Sequence, residues 1–217
     1  MNWWKQALDL VFPRCCPACG KYTGRDTLWC DDCLRKAWDA HQIQRNSHPH
    51  LAACYTAARY EGSVRKLIIA LKYSQKPQLA KALYPILDAF PWWERLAAET
   101  DLAVPIPLSV ARRKERGYNQ TDLLFRDILK DKGIAYDPDC LVRIRNTPKQ
   151  SLLNKEAREK NLQMAFHVNK GKDIRGKRIL LVDDIYTTGT TMETAAQELR
   201  RAGAAKVIGL TVASGAV

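Results

Sequence analysis

The segment ILLVDDIYTTGTTMETA, residues 179–195, constrains the fold more than any other part of the chain. Four apolar residues, Ile179 to Val182, lead into two acids, Asp183 and Asp184. The turn Thr187-Thr188-Gly189-Thr190-Thr191 and then a helical pattern follow. Such an apolar run reads as a strand buried on both faces. A buried strand that enters a tight turn and a helix belongs to an α/β sheet, in which ligands sit at the carboxyl ends of the strands. The turn offers backbone N–H groups, hydroxyl donors and the positive end of a helix dipole, which together suit a phosphate. Gly189 permits close backbone approach. Two carboxylates beside a phosphate would repel it unless hydroxyls or a divalent cation intervene. Asp183 and Asp184 therefore point to a sugar diol with bound Mg²⁺, and the segment as a whole to a phosphorylated sugar. A strand ending in a polar turn, with Asp and Thr merely capping, would explain an isolated Thr-x-Gly-Thr better than it explains this in-register series.

Alternating strand and helix patterns continue the α/β reading through the chain. LAACYTAARY (51–60) reads as a strand and SVRKLIIALKY (63–73) as a helix with Ser63 as its N-cap. A helix follows Pro77 to about Phe90, and a short one follows Pro91. LAVPIP (102–107) is a buried strand, LSVARRKERGYNQ (108–120) a basic loop, and TDLLFRDILKDKG (121–133) a helix opened by Thr121 and closed by Gly133. CLVRIRN (140–146), RILLVDD (178–184) and KVIGLTVAS (206–214) are strands, with a helix over 190–204 that ends at Gly203. Right-handed crossovers between such strands build a parallel sheet. Its ligand loops are expected after LAVPIP, CLVRIRN and RILLVDD.

The first fifty residues are of a different kind. Cys16-Pro-Ala-Cys19 and Cys30-Asp-Asp-Cys33, ten residues apart, are two C-x₂-C knuckles suited to tetrahedral Zn²⁺ held by four thiolates. Paired knuckles argue against a redox motif. The x₂ spacing favours Cys16 over the adjacent Cys15 as the ligand. Cys54 and Cys140 fall in expected strands as inert thiols. His41, His48 and His50 read as linker residues within HQIQRNSHPH (41–50). NWWKQALDLV (2–11) reads as a short amphipathic helix docked on the protein itself, too short and weakly charged to anchor in a membrane. The expected division is residues 1–50 as N-terminal helix and zinc finger, and 51–217 as the α/β domain.

Charge narrows the partners. The net charge is +12, of which residues 1–50 carry +2 and the remainder +10. A basic body suits nucleic acid, phosphorylated metabolites or anionic lipid. No run of about 18 apolar residues occurs, so no transmembrane helix and no stable membrane insertion are expected. The N-terminus lacks a basic n-region and a small-residue cleavage site, so a cytoplasmic location is expected.

The stretch 179–195 resembles the motif that binds phosphoribosyl pyrophosphate (PRPP) in type I phosphoribosyltransferases. The resemblance implies a parallel sheet with flanking helices, with Asp183 and Asp184 at the ribose and Thr187, Thr188, Gly189, Thr190 and Thr191 at the phosphate. It implies pyrophosphate contacts from the loop after the first core strand, here Arg112, Arg113, Lys114 and Arg116. A mobile loop, here 147–161 with Lys149, Gln150, Arg158 and Lys160, would close over the site. Cations aimed at a departing diphosphate and a lid that keeps water out are what such chemistry requires. Together with the Cys₄ knuckles, and with LKY (71–73), VPIPLS (104–109), RGYNQ (116–120) and VDDIYTTGTT (182–191), the chain resembles the ComF (ComFC-type) competence proteins. That family is similar to the gluconate-linked GntX proteins. This resemblance implies a role in natural transformation, handling of single-stranded DNA, and a ComFA-like helicase as partner.

Three functions follow. In the first, the chain is a phosphoribosyltransferase that binds PRPP with Mg²⁺. In the second, it is a single-stranded-DNA-binding module held by phosphate contacts and stacking. In the third, it is an interaction protein whose finger and N-terminal helix dock a helicase. Phosphoribosyltransferase folds also serve as regulators that bind ligand without turnover.

Overall fold

The computed structural model describes residues 15–24, 28–44, 49–143 and 165–215. The expected helix over 2–11 and the expected lid over 147–161 lie outside the described residues. The elements are α1 (Asp31–Ala37), β1 (Trp38–Gln42), β2 (Ala53–Arg59), α2 (Gly62–Tyr73), a 3-10 turn (Pro77–Leu79), α3 (Ala80–Asp88) and α4 (Trp93–Ala98). They continue with β3 (Leu102–Pro105), α5 (Val110–Arg116), α6 (Gln120–Asp131), β4 (Leu141–Arg143), β5 (Phe166–Val168), β6 (Arg178–Tyr186), α7 (Thr190–Arg201) and β7 (Lys206–Ser214).

Five strands form one sheet in the order β1-β2-β7-β6-β3. The pairs β2–β7, β7–β6 and β6–β3 are parallel, and β1 closes one edge antiparallel to β2. β6 lies between two neighbours, and Ile179 to Asp184 are all buried, as an apolar run covered on both faces requires. Side chains alternate across it. Leu180 and Val182 join the core formed with Leu67, Ile68 and Leu71 of α2, Leu83, Ile86 and Leu87 of α3, and Leu124, Phe125, Ile128 and Leu129 of α6. Ile179 and Leu181 join Met192, Ala195, Ala196 and Leu199 of α7 on the other side. At Gly209 in β7 a Cβ would come within 2.7 Å of Met192 Cε and 2.8 Å of Cys54 Sγ, so a larger residue there would make those side chains shift.

The structure corrects several local expectations. The basic stretch 108–120 is not all loop: Val110–Arg116 is helical. Ser109 caps it by accepting the Arg112 N–H, and Gly117 ends it in the left-handed conformation. Its Ala, Arg, Lys and Glu residues are good helix formers whose charge masked the pattern. Ser63 is not the cap of α2, which starts at Gly62 after Glu61 without a side-chain cap. Asn119, not Thr121, caps α6, its side chain accepting the Thr121 N–H at 3.1 Å.

The described residues of CLVRIRN do not enter the parallel sheet. Their strand, β4, pairs antiparallel with β5, a short strand that the sequence pattern did not reveal. At three residues each, these strands carry too little pattern to fix their partners. The stretch read as a linker begins inside β1, where His41 pairs with Thr56. The sheet therefore draws a strand from before residue 51. Among the described residues, the remaining expected strands and helices are present.

Candidate active site

The parallel strands end on one side of the sheet, and β6 brings Asp183 and Asp184 to that end. Both are buried, at 9% and 3% exposure. Asp183 Oδ1 accepts the Thr121 hydroxyl at 3.2 Å and the Asp184 backbone N–H at 2.8 Å. Asp184 Oδ2 lies 2.8 Å from Lys72 Nζ, which reaches in from α2. Burial, and secondly the charge of Asp184, push the Asp183 carboxyl well above the usual carboxylate range, with Lys72 acting against them. Two like charges so placed favour a cation or hydroxyl donors between them, and in that respect the pair fits a sugar diol with Mg²⁺.

The turn follows at once. Thr187 and Thr188 are exposed and Gly189 is buried. Gly189 has φ of +76° at the N-cap of α7, a conformation that L side chains resist. The Thr188 and Thr190 hydroxyls lie 2.9 Å apart, and the Glu193 N–H closes the first turn on Gly189 O at 2.8 Å. The N–H groups of a helix's first turn have no partner within the helix and favour anions. Glu193, the acid of that turn, is engaged by His50, whose Nδ1 and backbone N lie 2.5 and 3.1 Å from its Oε1. His50, read from sequence as a linker residue, thus braces the helix start.

Beyond Lys72, the cations expected at the site come from α5 and β4. On α5, Arg112, Arg113 and Lys114 are exposed, whereas Arg116 is partly buried. Arg116 donates to the Gln120 side chain, and its guanidinium lies 5.9 Å from the Tyr73 ring centroid. Burial lowers its pKa, while the charge of Asp184 pulls the other way. Arg143 of β4 lies 5.5 Å from the Phe166 ring centroid. Its pKa is lowered by burial and by Arg112, against the pull of Asp183. Gln150 and Arg158 lie outside the described residues, as do Lys149 and Lys160. Sequence reasoning gave no site role to Lys72, Tyr73, Thr121 or Arg143. No spacing rule could, because only tertiary packing sets Thr121 against Asp183, Lys72 against Asp184 and Tyr73 against Arg116.

The cysteine module is a second site. The thiols of Cys16, Cys19, Cys30 and Cys33 lie within 4.8 Å of one another. Cys19 and Cys30 Sγ are 3.7 Å apart, close to the tetrahedral edge of about 3.8 Å that Zn–S bonds near 2.3 Å require. Cys15 is exposed and outside this group, so the structure selects Cys16. Burial opposes ionisation of Cys16, but backbone N–H groups of Cys30, Cys19 and Ala18 bring its thiol down to about 6. Hydrogen bonding to Cys30 and Cys19 pushes Cys33 up to about 12. Four thiols this close need a cation to ionise together, and the cluster fits a metal such as zinc.

Comparison with known proteins agrees with the fold. Residues 88–216 match the family described as phosphoribosyl transferase domain. The DNA utilization protein YhgH of Escherichia coli (strain K12) is 32% identical over 195 residues, covering 88% of this chain and 80% of that protein. The competence protein ComFC of Bacillus subtilis (strain 168) is 39% identical over 102 residues, covering 47% of this chain and 39% of that protein. Among solved structures, the glutamine PRPP amidotransferase of Bacillus subtilis aligns with a TM-score of 0.42 and 21% identity, over 66% of this chain and 30% of that one. With more than half its length matched by one family, and a relative alike over most of both chains, this chain belongs to the phosphoribosyl transferase domain family, as a homologue of YhgH and ComFC.

Proposed function

We propose that this chain binds PRPP with Mg²⁺ at the carboxyl end of β6 and acts as a ComF-type phosphoribosyltransferase-like protein in the uptake or use of DNA. The observation that carries the reading is the buried Asp183–Asp184 pair directly before the Thr/Gly turn of α7. Asp183 and Asp184 would accept from the ribose hydroxyls, and they are the residues that would hold Mg²⁺, whose charge offsets that of a departing diphosphate. Thr187 to Thr191 would cradle the 5′-phosphate. Arg112, Arg113 and Arg116, with Gln150 and Arg158, would face the pyrophosphate. Transfer to an acceptor would break the bond from ribose C1 to pyrophosphate and form one from C1 to the acceptor.

The Cys16, Cys19, Cys30 and Cys33 cluster would hold structural Zn²⁺ in an N-terminal module over 1–50, whose β1 is shared with the sheet of the phosphoribosyltransferase-like domain over 51–217. The cytoplasm is the compartment that suits free PRPP and reduced thiols. No helix among the described residues is long and apolar enough to cross a membrane.

Arg112, Arg113 and Lys114, exposed on α5, and a Tyr73 ring exposed to 75% beside Arg116 of the same helix support a second reading in which the chain also binds single-stranded DNA. YhgH and ComFC carry DNA utilization and competence in their names. A ComFA-like helicase would be the partner of that activity.

Thermal unfolding with added PRPP tests the first reading. A ligand at one hundred times its Kd stabilises the folded state by about 2.7 kcal/mol. The midpoint should rise with PRPP and Mg²⁺ together and stay unmoved with ribose alone. An unmoved midpoint with PRPP removes the reading.

A further inference from the structure

The LKY stretch at 71–73 ends α2, upstream of the matched segment 88–216, yet it delivers a cation to the acid pair. We propose that Lys72 is the resident counter-cation of Asp184 and sets how strongly the acid pair takes a divalent ion. The inference rests on the reading of Asp183 and Asp184 as the sugar and metal site.

Lys72 Nζ lies 2.8 Å from Asp184 Oδ2, with the two side chains 19% and 5% exposed. At that burial the contact is far less screened than a surface pair, and losing one partner strands the other charge. Arg116 and Arg143 act on the pair through space, but their guanidinium groups are also placed against Tyr73 and Phe166. A lysine ammonium differs from these in kind. It is a compact point charge on a flexible stem, with no planar fork to hold it in one pose.

Position decides the consequence. A divalent ion bound to Asp184 Oδ2 competes with Nζ, 2.8 Å away, for the charge of the same carboxylate. Free metal therefore meets a neutralised carboxylate and binds weakly. A metal that arrives with a diphosphate brings oxygens to which the ammonium can donate. Lys72 thus makes the site select the metal–diphosphate complex over the bare ion.

Mn²⁺ binding to the full chain, followed by electron paramagnetic resonance with no sugar phosphate present, tests this. The wild type should bind Mn²⁺ weakly, and Lys72→Met should bind it at least about tenfold more tightly. Lys72→Arg should stay weak, and Lys72→Met/Asp184→Asn should lose the gain. Equal Mn²⁺ affinity in the wild type and Lys72→Met overturns the proposal, as does a gain that survives Asp184→Asn. Loss of a structural contact alone would not tighten metal binding. If Lys72→Met does not fold, the side-chain ammonium resonance of Lys72 in the wild type decides instead. It should shift when PRPP and Mg²⁺ are added together and stay put with Mg²⁺ alone at the same concentration, and a resonance moved as far by Mg²⁺ alone overturns the proposal. Tighter Mn²⁺ binding by Lys72→Met, with no PRPP binding by any variant, supports the counter-cation role and removes the sugar-phosphate reading.

Discussion

Burial and a neighbouring negative charge act in the same direction on Asp183, which keeps its proton to a higher pH than an ordinary carboxylate. The consequence for stability has a definite sign. As the pH rises above the ordinary value of 3.8, the unfolded chain loses this proton before the folded one does. The folded state then binds more protons, so stability falls with rising pH through that window. Asp183→Asn cannot ionise, and it should flatten this slope and unfold later than the wild type at pH 8. Urea denaturation at pH 5 and pH 8 checks it, and a slope as steep in the variant as in the wild type would contradict it. The acid pair was legible in sequence because an apolar strand ran straight into it. Lys72 stood only inside the LKY stretch of the resemblance, with no role attached, because packing alone sets it against Asp184. Thr121 was read as a cap, whereas its hydroxyl serves Asp183 and Asn119 does the capping.

The strand, turn and helix around residue 189 agree at every level, which is why this element was readable from end to end. Its apolar run set the strand, and the φ of +76° at Gly189 matches the residue type placed there. Gly189→Ala should cost about 1–2 kcal/mol through left-handed strain and weaken PRPP binding, as denaturant unfolding and calorimetry would measure. Stability within error of the wild type would show that the turn relaxes another way. α5 shows the opposite case. VARRKER carries no apolar stripe, so periodicity was silent and only the Ser109 cap and Gly117 marked its ends. β4 was seen as a strand but given the wrong neighbours, because its partner β5 comes after a long polar stretch.

At the scale of the whole molecule, the finger and the sheet are joined rather than strung together. Trp29, at 2% exposure, donates its indole N–H to Ala82 O of α3 at 2.5 Å, and β1 adds an edge strand to the sheet. Metal removal should therefore expose Trp29 and β1 before the central strands. Hydrogen exchange after chelation should show early loss of protection over 28–42 with β6 and β7 still protected. Simultaneous loss everywhere would mean that the cluster supports the entire fold. A DNA-binding role belongs to this scale too, since it depends on the basic body. Affinity for a single-stranded oligonucleotide should fall steeply with salt, the log–log slope growing by about 0.7 for each phosphate contacted. A flat salt curve would remove that role. Calorimetry decides whether the carboxyl end of β6 is a sugar-phosphate site. PRPP would be titrated with and without Mg²⁺ into the wild type and into Asp183→Asn/Asp184→Asn. Mg²⁺-dependent binding by the wild type, lost in a folded double variant, is the predicted result. Equal PRPP affinity in the two proteins, or no binding by a folded, zinc-loaded wild type, would contradict it.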